Sequence, residues 1–343
     1  MQQYSIGQDL LPTIYDLEND AAGIFAGFNY PFSPLLISGQ VTDPGIYNLP
    51  ATTPVTTESV TYQAAGVPVS DSYTGTTLWN LLADAGGVST SMAKNDILTK
   101  YVIATGADGY QATFSLGEID PMFGNQPVLV AYADAAGQLG PHASDGLARM
   151  VVPGDLAGGR YVSDLVSLQV AGLPEPGPSG PGGGPGGGAG GTSPQATLSG
   201  AVADPTIVTP ETLSQLYNAT TETATYLAGS ASTTDTYTGV SLWTLIQGAG
   251  LLTDPAVKND LLGFAVVATG SDGYRAVISL GEIAPNFGNQ QDLVAYADSN
   301  GQLGPNGSDG ALRLVVPGDQ AGGRYVSNLV SLQVIDTTIA HQV

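Results

Sequence analysis

Apolar residues recur along the chain with two spacings, one that predicts β-strands and one that predicts α-helices. Segment 55–69 is rich in Thr and Val and alternates as a strand does, and the Tyr-Thr-Gly triplet at 73–75 predicts a turn after it. Leu78, Trp79, Leu81 and Leu82 then recur at helical spacing before a glycine stop. Further along, the pattern predicts a hairpin around an Asp-Gly pair at 108–109, a short helical turn from 115, and strands at 128–133, 148–152 and 161–170.

The same pattern occurs twice. The stretch from Asp71 to Val170 reappears from Asp235 to Val334 at a constant offset of 164 residues, without a gap and with about two thirds of positions identical. A unit of this length is large enough to bury its own core, so the chain is predicted to contain two homologous domains.

The stretches that do not repeat set the domain boundaries. The predicted organisation is an apolar N-terminal arm at 1–33, a first domain at 34–172, a Gly/Pro-rich linker at 173–194, a second domain at 195–335 and a tail at 336–343. The linker composition cannot supply a core and predicts a flexible spacer. The arm is apolar and belongs to neither domain, so it is expected either to fold back on the first domain or to dock on another subunit.

Charge narrows the choice of partners. Only 8 Lys and Arg face 30 Asp and Glu, which gives a net charge of −22. Such a chain would be repelled by nucleic acid and by anionic membranes. The sequence lacks an apolar run that predicts a transmembrane segment, and its first residues do not resemble a signal peptide. The chain is therefore expected to be either cytosolic or a mature or recombinant form. The acidic composition favours the second alternative, an extracellular protein.

The absence of cysteine excludes several kinds of chemistry. Without Cys the chain can form no disulfide, no thiolate nucleophile and no metal site built on sulfur. The two histidines do not repeat, because His142 is replaced by Asn306 in the second copy and His341 lies in the tail. A histidine-based triad or metal cluster common to both copies is therefore excluded, and the chain is predicted not to be an enzyme.

The ordered motifs resemble a known family. After the Leu-Trp helix come Asp-Gly-Tyr, Ser-Leu-Gly-Glu and Leu-Val-Ala-Tyr, and then Arg-Met-Val-Val-Pro-Gly-Asp at 149–155 and Gly-Gly-Arg-Tyr-Val-Ser at 158–163. This series, repeated in the second copy, resembles the molybdopterin-binding domain of the sulfite oxidase family. The mixture of strand and helix patterns predicts an α+β fold for each copy. The resemblance implies two tandem copies of such a domain, with mixed β-sheets and short helices.

The sequence departs from that family at its metal ligand. The resemblance implies a cysteine thiolate for molybdenum in the strand before the Thr-Gly turn, but here the segments read Val-Thr-Tyr-Gln-Ala-Ala-Gly at 60–66 and Ala-Thr-Tyr-Leu-Ala-Gly at 224–229. Neither Tyr62 nor Tyr226 replaces the soft sulfur donor that such a site uses. A sulfite-oxidase-like oxidoreductase is therefore only the third hypothesis.

Four arginines are candidate ligand-binding residues, because a guanidinium fork suits a phosphate or a pterin edge. They are the residues shared by both copies, namely Arg149, Arg160, Arg313 and Arg324. The alternative is that each arginine ties a strand or loop to an aspartate such as Asp145, Asp155 or their copies. The shared carboxylates, among them Glu118 and Glu282, are expected to serve mainly in turns and caps.

Two functions follow from these observations. The first is a non-catalytic extracellular structural protein that assembles with copies of itself into a filament or surface layer through residues 1–33 and the tail. The second is a pterin- or molybdopterin-binding protein without enzymatic activity that uses the four arginines. Under the first hypothesis no cofactor is expected.

Overall fold

The computed structural model describes residues 33–49, 54–140, 146–174, 192–304 and 310–338. Most of the predicted arm, most of the linker and the end of the tail lie outside these ranges, as do His142, Asp145 and His341. We call 33–174 repeat 1 and 192–338 repeat 2. Among the described residues, no helix has the length and apolar composition needed to cross a membrane.

Repeat 1 is built from short elements. In chain order they are β1 (Ser33–Gly39), β2 (Gly45–Leu49), β3 (Thr56–Ala64), β4 (Val67–Thr77), α1 (Leu78–Asp84), the 3-10 turn η1 (Asp96–Thr99), β5 (Lys100–Gly106), β6 (Gln111–Ser115), α2 (Leu116–Ile119), β7 (Leu129–Asp134), β8 (Gly137–Gln138), β9 (Arg149–Val151), η2 (Gly158–Arg160) and β10 (Leu165–Gly172).

Repeat 2 has the same order with one added helix. Its elements are β11 (Ala196–Gly200), β12 (Thr206–Val208), α3 (Pro210–Leu216), β13 (Thr220–Ala228), β14 (Ala231–Ser241), α4 (Leu242–Gly248), η3 (Asp260–Gly263), β15 (Phe264–Gly270), β16 (Arg275–Ser279), α5 (Leu280–Ile283), β17 (Leu293–Asp298), β18 (Gly301–Gln302), β19 (Arg313–Val315), η4 (Gly322–Arg324) and β20 (Leu329–Asp336). The added helix is α3, which begins at a Thr209 capping box with Pro210 in its first turn.

The predicted α+β fold class is wrong. Strands make up 46% of the structure and helices 16%, and four small sheets form a ring like that of a four-bladed β-propeller. Each sheet has five strands, ordered β2-β1-β10-β5-β6 and β3-β4-β7-β8 in repeat 1, with β9 also on β7, and repeat 2 matches this order. The helical patterns are real, but α1 and α4 have only seven residues each. Two turns are too short to form a helical layer, so sheets dominate the fold.

The predicted turn at 73–75 is also wrong. The chain reverses at Ala65 and Gly66, both with positive φ, and the Tyr-Thr-Gly triplet continues inside β4. The register of β4 on β7 shifts between Thr74 and Gly75, which is a bulge. A Cβ on Gly75 would lie 2.1 Å from the Val130 carbonyl oxygen. Glycine is needed there for close strand approach rather than for a turn.

Each repeat supplies most of one large apolar core. Leu81 and Leu82 are fully or almost fully buried in the first core, and their counterparts Leu245 and Ile246 are buried in the second. The first core also includes Leu262, Ala284 and Phe287, which belong to repeat 2.

The two repeats also pack on one another, at a surface that we call the repeat junction. Asn95 donates its Nδ2 hydrogen to the Tyr274 hydroxyl at 2.9 Å, and Asn259 donates to the Tyr110 hydroxyl at the same distance. Asn259 lies 164 residues after Asn95, and Tyr110 lies 164 residues before Tyr274. The two contacts are therefore equivalent, with the roles of the two repeats exchanged. The junction therefore has an approximate two-fold axis.

Backbone and apolar contacts follow the same symmetry. Leu156 N donates to Phe287 O at 3.2 Å, and its counterpart Gln320 N donates to Phe123 O at 3.0 Å. A small apolar cluster lies at the junction and draws on both repeats: Tyr101, Ile103, Ala171, Leu173, Ala265, Val267, Val277 and Ile335. The repeats are thus joined by buried surface as well as by the linker.

Candidate functional site

The polar centre of the repeat junction starts with Arg160 at the end of η2. This arginine is 1% exposed. Its Nε and Nη2 atoms donate to the two oxygens of Asp155 at 2.8 and 2.5 Å, and Nη1 donates to Glu118 Oε1. Burial alone would lower the pKa of Arg160, but Glu118 and Asp155 raise it above its usual range. Arg160 is therefore a fixed cation held by two carboxylates of its own repeat.

Arg324 repeats this arrangement. It is equally buried, and it donates to both oxygens of Asp319 at 2.8 and 2.5 Å and to Glu282 Oε1 at 2.5 Å. The sequence interpretation in which these arginines tie a loop to an aspartate matches the contacts of Arg160 with Asp155.

Two serines connect the networks across the axis. Ser115 donates its hydroxyl hydrogen to Glu282 Oε2 at 3.2 Å, and Ser279 donates to Glu118 Oε2 at 3.1 Å. Each serine also caps its own short helix by accepting from the backbone N–H three residues on. Glu118 and Glu282 therefore each accept a hydrogen bond from an arginine of their own repeat and another from a serine of the other repeat.

The arginines also pack against the opposite repeat. A Cβ on Gly117 would lie 2.5 Å from Arg324 Cδ, and one on Gly281 would lie 2.6 Å from Arg160 Cδ. Only glycine leaves room for the arginine at the start of these helices. Three residues of the Ser-Leu-Gly-Glu motif therefore contact the other repeat. The serine donates a hydrogen bond to the other repeat's glutamate, the glycine packs against its arginine, and the glutamate accepts from its serine.

A cavity of about 160 Å³ lies beside this network. Its lining contains the two arginines and their four carboxylates, together with Gly124, Gln126, Pro153, Gly154, Gly288, Gln290 and Gly318. Four carboxylates against two guanidinium groups give the lining an excess of acid. Small-molecule sites usually enclose about 300–1,000 Å³, so this cavity is small for a drug-sized ligand.

Asp292 breaks the symmetry of the centre. It is 1% exposed, and neither carboxylate oxygen has a hydrogen-bond partner among the described residues. Burial, and then the neighbouring charge of Glu282, raise the pKa of Asp292 well above its usual value. Burial also raises the pKa of Glu282 to about 7, against the opposing effect of Arg324. Repeat 1 carries Val128 at the equivalent position.

Arg149 and Arg313 occupy separate aromatic surroundings. The Arg149 guanidinium lies 5.1 Å from the centre of the Tyr73 ring and 5.7 Å from that of Tyr161, and it donates to the Tyr73 hydroxyl at 3.1 Å. Arg313 has the corresponding tyrosines, with a hydrogen bond to the Tyr226 hydroxyl at 3.0 Å. Neither residue lines the cavity. The four arginines predicted to bind a cofactor thus fall into two pairs with different surroundings.

The tyrosine at the family's metal-ligand segment is part of this packing. Tyr62 is 6% exposed and its ring stacks on Tyr161 with centroids 4.1 Å apart. Among the described residues, no group of three or more His, Asp and Glu is placed to hold a metal ion.

The sequence pattern did not predict the role of Glu118 and Glu282 or of Ser115 and Ser279 at the repeat junction. Asp108 and Asp134 serve in turns as expected, since each accepts backbone N–H bonds within three residues. Glu118, expected in a similar role, instead lies at the junction. The available signal was that Ser-Leu-Gly-Glu is invariant between the copies and is flanked by apolar residues, as a buried motif would be.

Comparisons with known proteins give little further information. No family model matches the chain, and no curated protein matches it. A solved structure that resembles it is the crystal structure of the sulfane dehydrogenase SoxCD from Paracoccus pantotrophus, with 14% identity over 86% of this chain and 77% of that chain and a TM-score of 0.34. A similarity this weak supports no conclusion about the fold or function of this chain.

Proposed function

We propose that this chain is a non-catalytic structural protein of the cell exterior that assembles with its own copies into a filament or surface layer. The contacts between subunits would be made by residues 1–32 and by the end of the tail at 339–343, because Thr337 is buried within the chain. The observation that carries the proposal is the network at the repeat junction, in which Arg160 and Arg324 are bound by carboxylates of the chain itself.

The use of the arginines supports a structural role. The guanidinium of Arg160 is bound along two sides by carboxylates, and a ligand anion would have to displace Asp155 or Glu118 to reach it. The same holds for Arg324. In some proteins, buried ion pairs fix one arrangement of packed parts. Here each ion pair lies within one repeat, and a serine of the other repeat binds the same glutamate, so the whole network would hold the two repeats in one orientation. A subunit of a regular polymer requires such a fixed orientation.

Edge strands among the described residues support assembly by strand addition. β3 and β13 are edge strands of nine residues each, and β2 and β12 lie at the edges of the other sheets. Near their ends, Gln63 of β3 and Leu227 of β13 each donate a backbone hydrogen bond to a loop, and the rest of each strand would be the site of addition. An edge strand has a row of backbone groups to which an extended segment of another chain can bind. The N-terminal arm contains apolar residues such as Ile24, Phe25 and Phe28 that would suit such a contact. A head-to-tail contact of this kind builds a fibre when it does not close.

The pterin-binding alternative receives less support. The cavity at the junction is smaller than usual for a ligand of that size, and Arg149 and Arg313 are packed among tyrosines away from it. The alternative makes a distinct prediction, which is that purified protein retains or takes up a pterin seen by its ultraviolet absorption.

Deletion of residues 1–32 tests the proposal. The full chain is expected to form particles much larger than one subunit in light scattering and negative-stain images, and the deleted chain is expected to remain a single subunit. A milder variant replaces Ile24, Phe25 and Phe28 with Ser and keeps the arm at full length.

The matched control is Met92→Ser, which removes an apolar side chain that is fully exposed in the first repeat. It is expected to leave assembly unchanged. Circular dichroism of each variant shows whether the repeats have kept their strands. Undiminished assembly of a folded chain without residues 1–32 would contradict the proposal.

A further inference from the structure

The repeat junction contains two positions at which the approximate symmetry is broken in a complementary way. At the first, the Thr113 hydroxyl donates to Thr337 Oγ1 at 2.6 Å, and Thr337 in turn donates to Gly263 O. The symmetry-related contact has Val277 in place of Thr113 and Leu173 in place of Thr337, and both lie in the apolar junction cluster. One contact is therefore polar and its counterpart is apolar.

At the second position, the equivalent side chains of the two repeats differ in size. Tyr101 and its counterpart Ala265 both belong to the junction cluster, so both lie near the approximate axis. Tyr101 is 2% exposed, and besides burial the carboxylate of Asp336 from repeat 2 raises its pKa, so the ring reaches toward the other repeat. A large residue of repeat 1 thus packs where repeat 2 supplies a small one.

We propose that the repeat junction also joins repeats from two different copies of this chain, and that these two asymmetries restrict it to pairing repeat 1 with repeat 2. The surface is self-complementary in its other contacts, because the Asn–Tyr, Ser–Glu and backbone contacts all occur twice. A repeat 2 from another chain offers repeat 1 the same groups as its own repeat 2 does. This inference does not depend on the terminal segments.

Pairing of two copies of repeat 1 would lose both complementary contacts. Each Thr113, which is completely buried, would face Leu173 and have no acceptor there. An unpaired buried hydroxyl disfavours a state by about 5-fold to 150-fold, and this pair contains two of them. In such a pair, two Tyr101 side chains would also compete for the space of one. In a pair of two copies of repeat 2, two Ala265 side chains would instead leave a gap.

The consequence for the full chain is directional assembly. A chain whose repeats are not paired with each other presents one of each surface, so exchange between chains gives a closed pair or a head-to-tail series. A linker of the composition predicted from the sequence would hold the two repeats at an effective concentration of about the millimolar range. Pairing between chains should therefore become significant only near that concentration, as it would in a dense layer.

The experiment uses the full chain with a protease site placed within 176–190, so that folded protein is cut into its two repeats afterwards. Light and heavy isotope-labelled preparations are cut, mixed and examined by native mass spectrometry. The expected result is exchange that yields light–heavy pairs of repeat 1 with repeat 2, and almost no pairs of like repeats. Absence of any light–heavy pair would overturn the proposal, as would a statistical mixture of like and unlike pairs.

Two variants test the origin of the selectivity. Thr113→Val removes the hydroxyl that would be orphaned, and it should raise pairs of repeat 1 with itself at least about 5-fold. Tyr101→Ala removes the size difference and should raise them separately. The matched control is Thr57→Val, which removes a hydroxyl paired with Thr74 at 2.8 Å on an exposed hairpin outside the junction. If Thr113→Val leaves the distribution of pairs as in the control, the hydroxyl does not select the partner.

Discussion

Asp292→Val gives the most informative test of the buried centre, because repeat 1 already carries Val128 at that position. The backbone around the two residues is the same, since Leu242 N donates to Asp292 O at 2.8 Å and Leu78 N donates to Val128 O at 2.7 Å. The substitution therefore removes a carboxylate and leaves the local fold intact.

The expected effect is a gain in the free energy of unfolding. A buried polar group without a partner costs about 1–3 kcal/mol, and the cost is larger when the group is charged. Valine also keeps the site filled with apolar atoms. We expect Asp292→Val to stabilise the protein by at least about 1–3 kcal/mol at neutral pH, measured by urea unfolding.

The gain should depend on pH with a definite sign. Because the pKa of Asp292 is raised on folding, the folded wild type resists ionisation there and loses stability as pH rises above the ordinary aspartate range. Below that range the carboxyl is protonated in both states and this effect vanishes. The stabilisation by Asp292→Val should thus be smallest near pH 4 and should grow toward and beyond neutral pH.

Two further variants separate charge from shape. Asp292→Asn should remove the pH-dependent part and retain much of the cost of a buried polar group. Asp204→Asn makes the same change at an exposed aspartate and should have little effect. If Asp292→Val destabilises the protein at pH 7, or if its effect is the same at pH 4.5 and pH 7.5, the reasoning about this buried carboxylate is refuted.

Three other substitutions test the junction and the aromatic packing, each by urea unfolding. Arg160→Met leaves two buried carboxylates without their cation and should cost about 3–5 kcal/mol, whereas Arg275→Met at a more exposed arginine should cost under about 1 kcal/mol. Gly281→Ala places a Cβ against Arg160 of the other repeat and should cost about 1–3 kcal/mol. Its control is Gly304→Ala, where a Cβ meets no atom of the described residues within 4 Å, and this change should be nearly neutral. Tyr226→Phe removes a hydrogen bond to the partly buried guanidinium of Arg313 and should cost about 1–3 kcal/mol. Effects of Arg160→Met and Gly281→Ala no larger than those of their controls would contradict the account of the junction, and a neutral Tyr226→Phe would contradict that of the packing.

The sequence predicted local elements better than their assembly. The helix from Leu78 and the Asp-Gly hairpin are present, because apolar spacing and turn residues act over a few positions. The α+β prediction was wrong because the pattern shows where a helix forms, but it does not show that the helices are too short to form a layer beside the sheets. The Tyr-Thr-Gly triplet was misread because glycine serves close packing as well as turns.

The candidate site was predicted in part. The recurrence of the four arginines in both copies marks them as candidates, and the alternative of an arginine tied to Asp155 corresponds to the salt bridge of Arg160. The interlocked pairing of the two repeats through Ser115 and Glu282 could not be predicted, because it depends on how two folded units meet. Asp292 differs from its counterpart, and the sequence alone does not show that both positions are buried.

Imaging of the protein from its natural source tests the central claim most directly. The account predicts ordered polymers or a regular layer built from this chain, without a stoichiometric pterin in the ultraviolet spectrum of the same sample. Single, unassembled subunits that carry a bound pterin and turn over a substrate would contradict it.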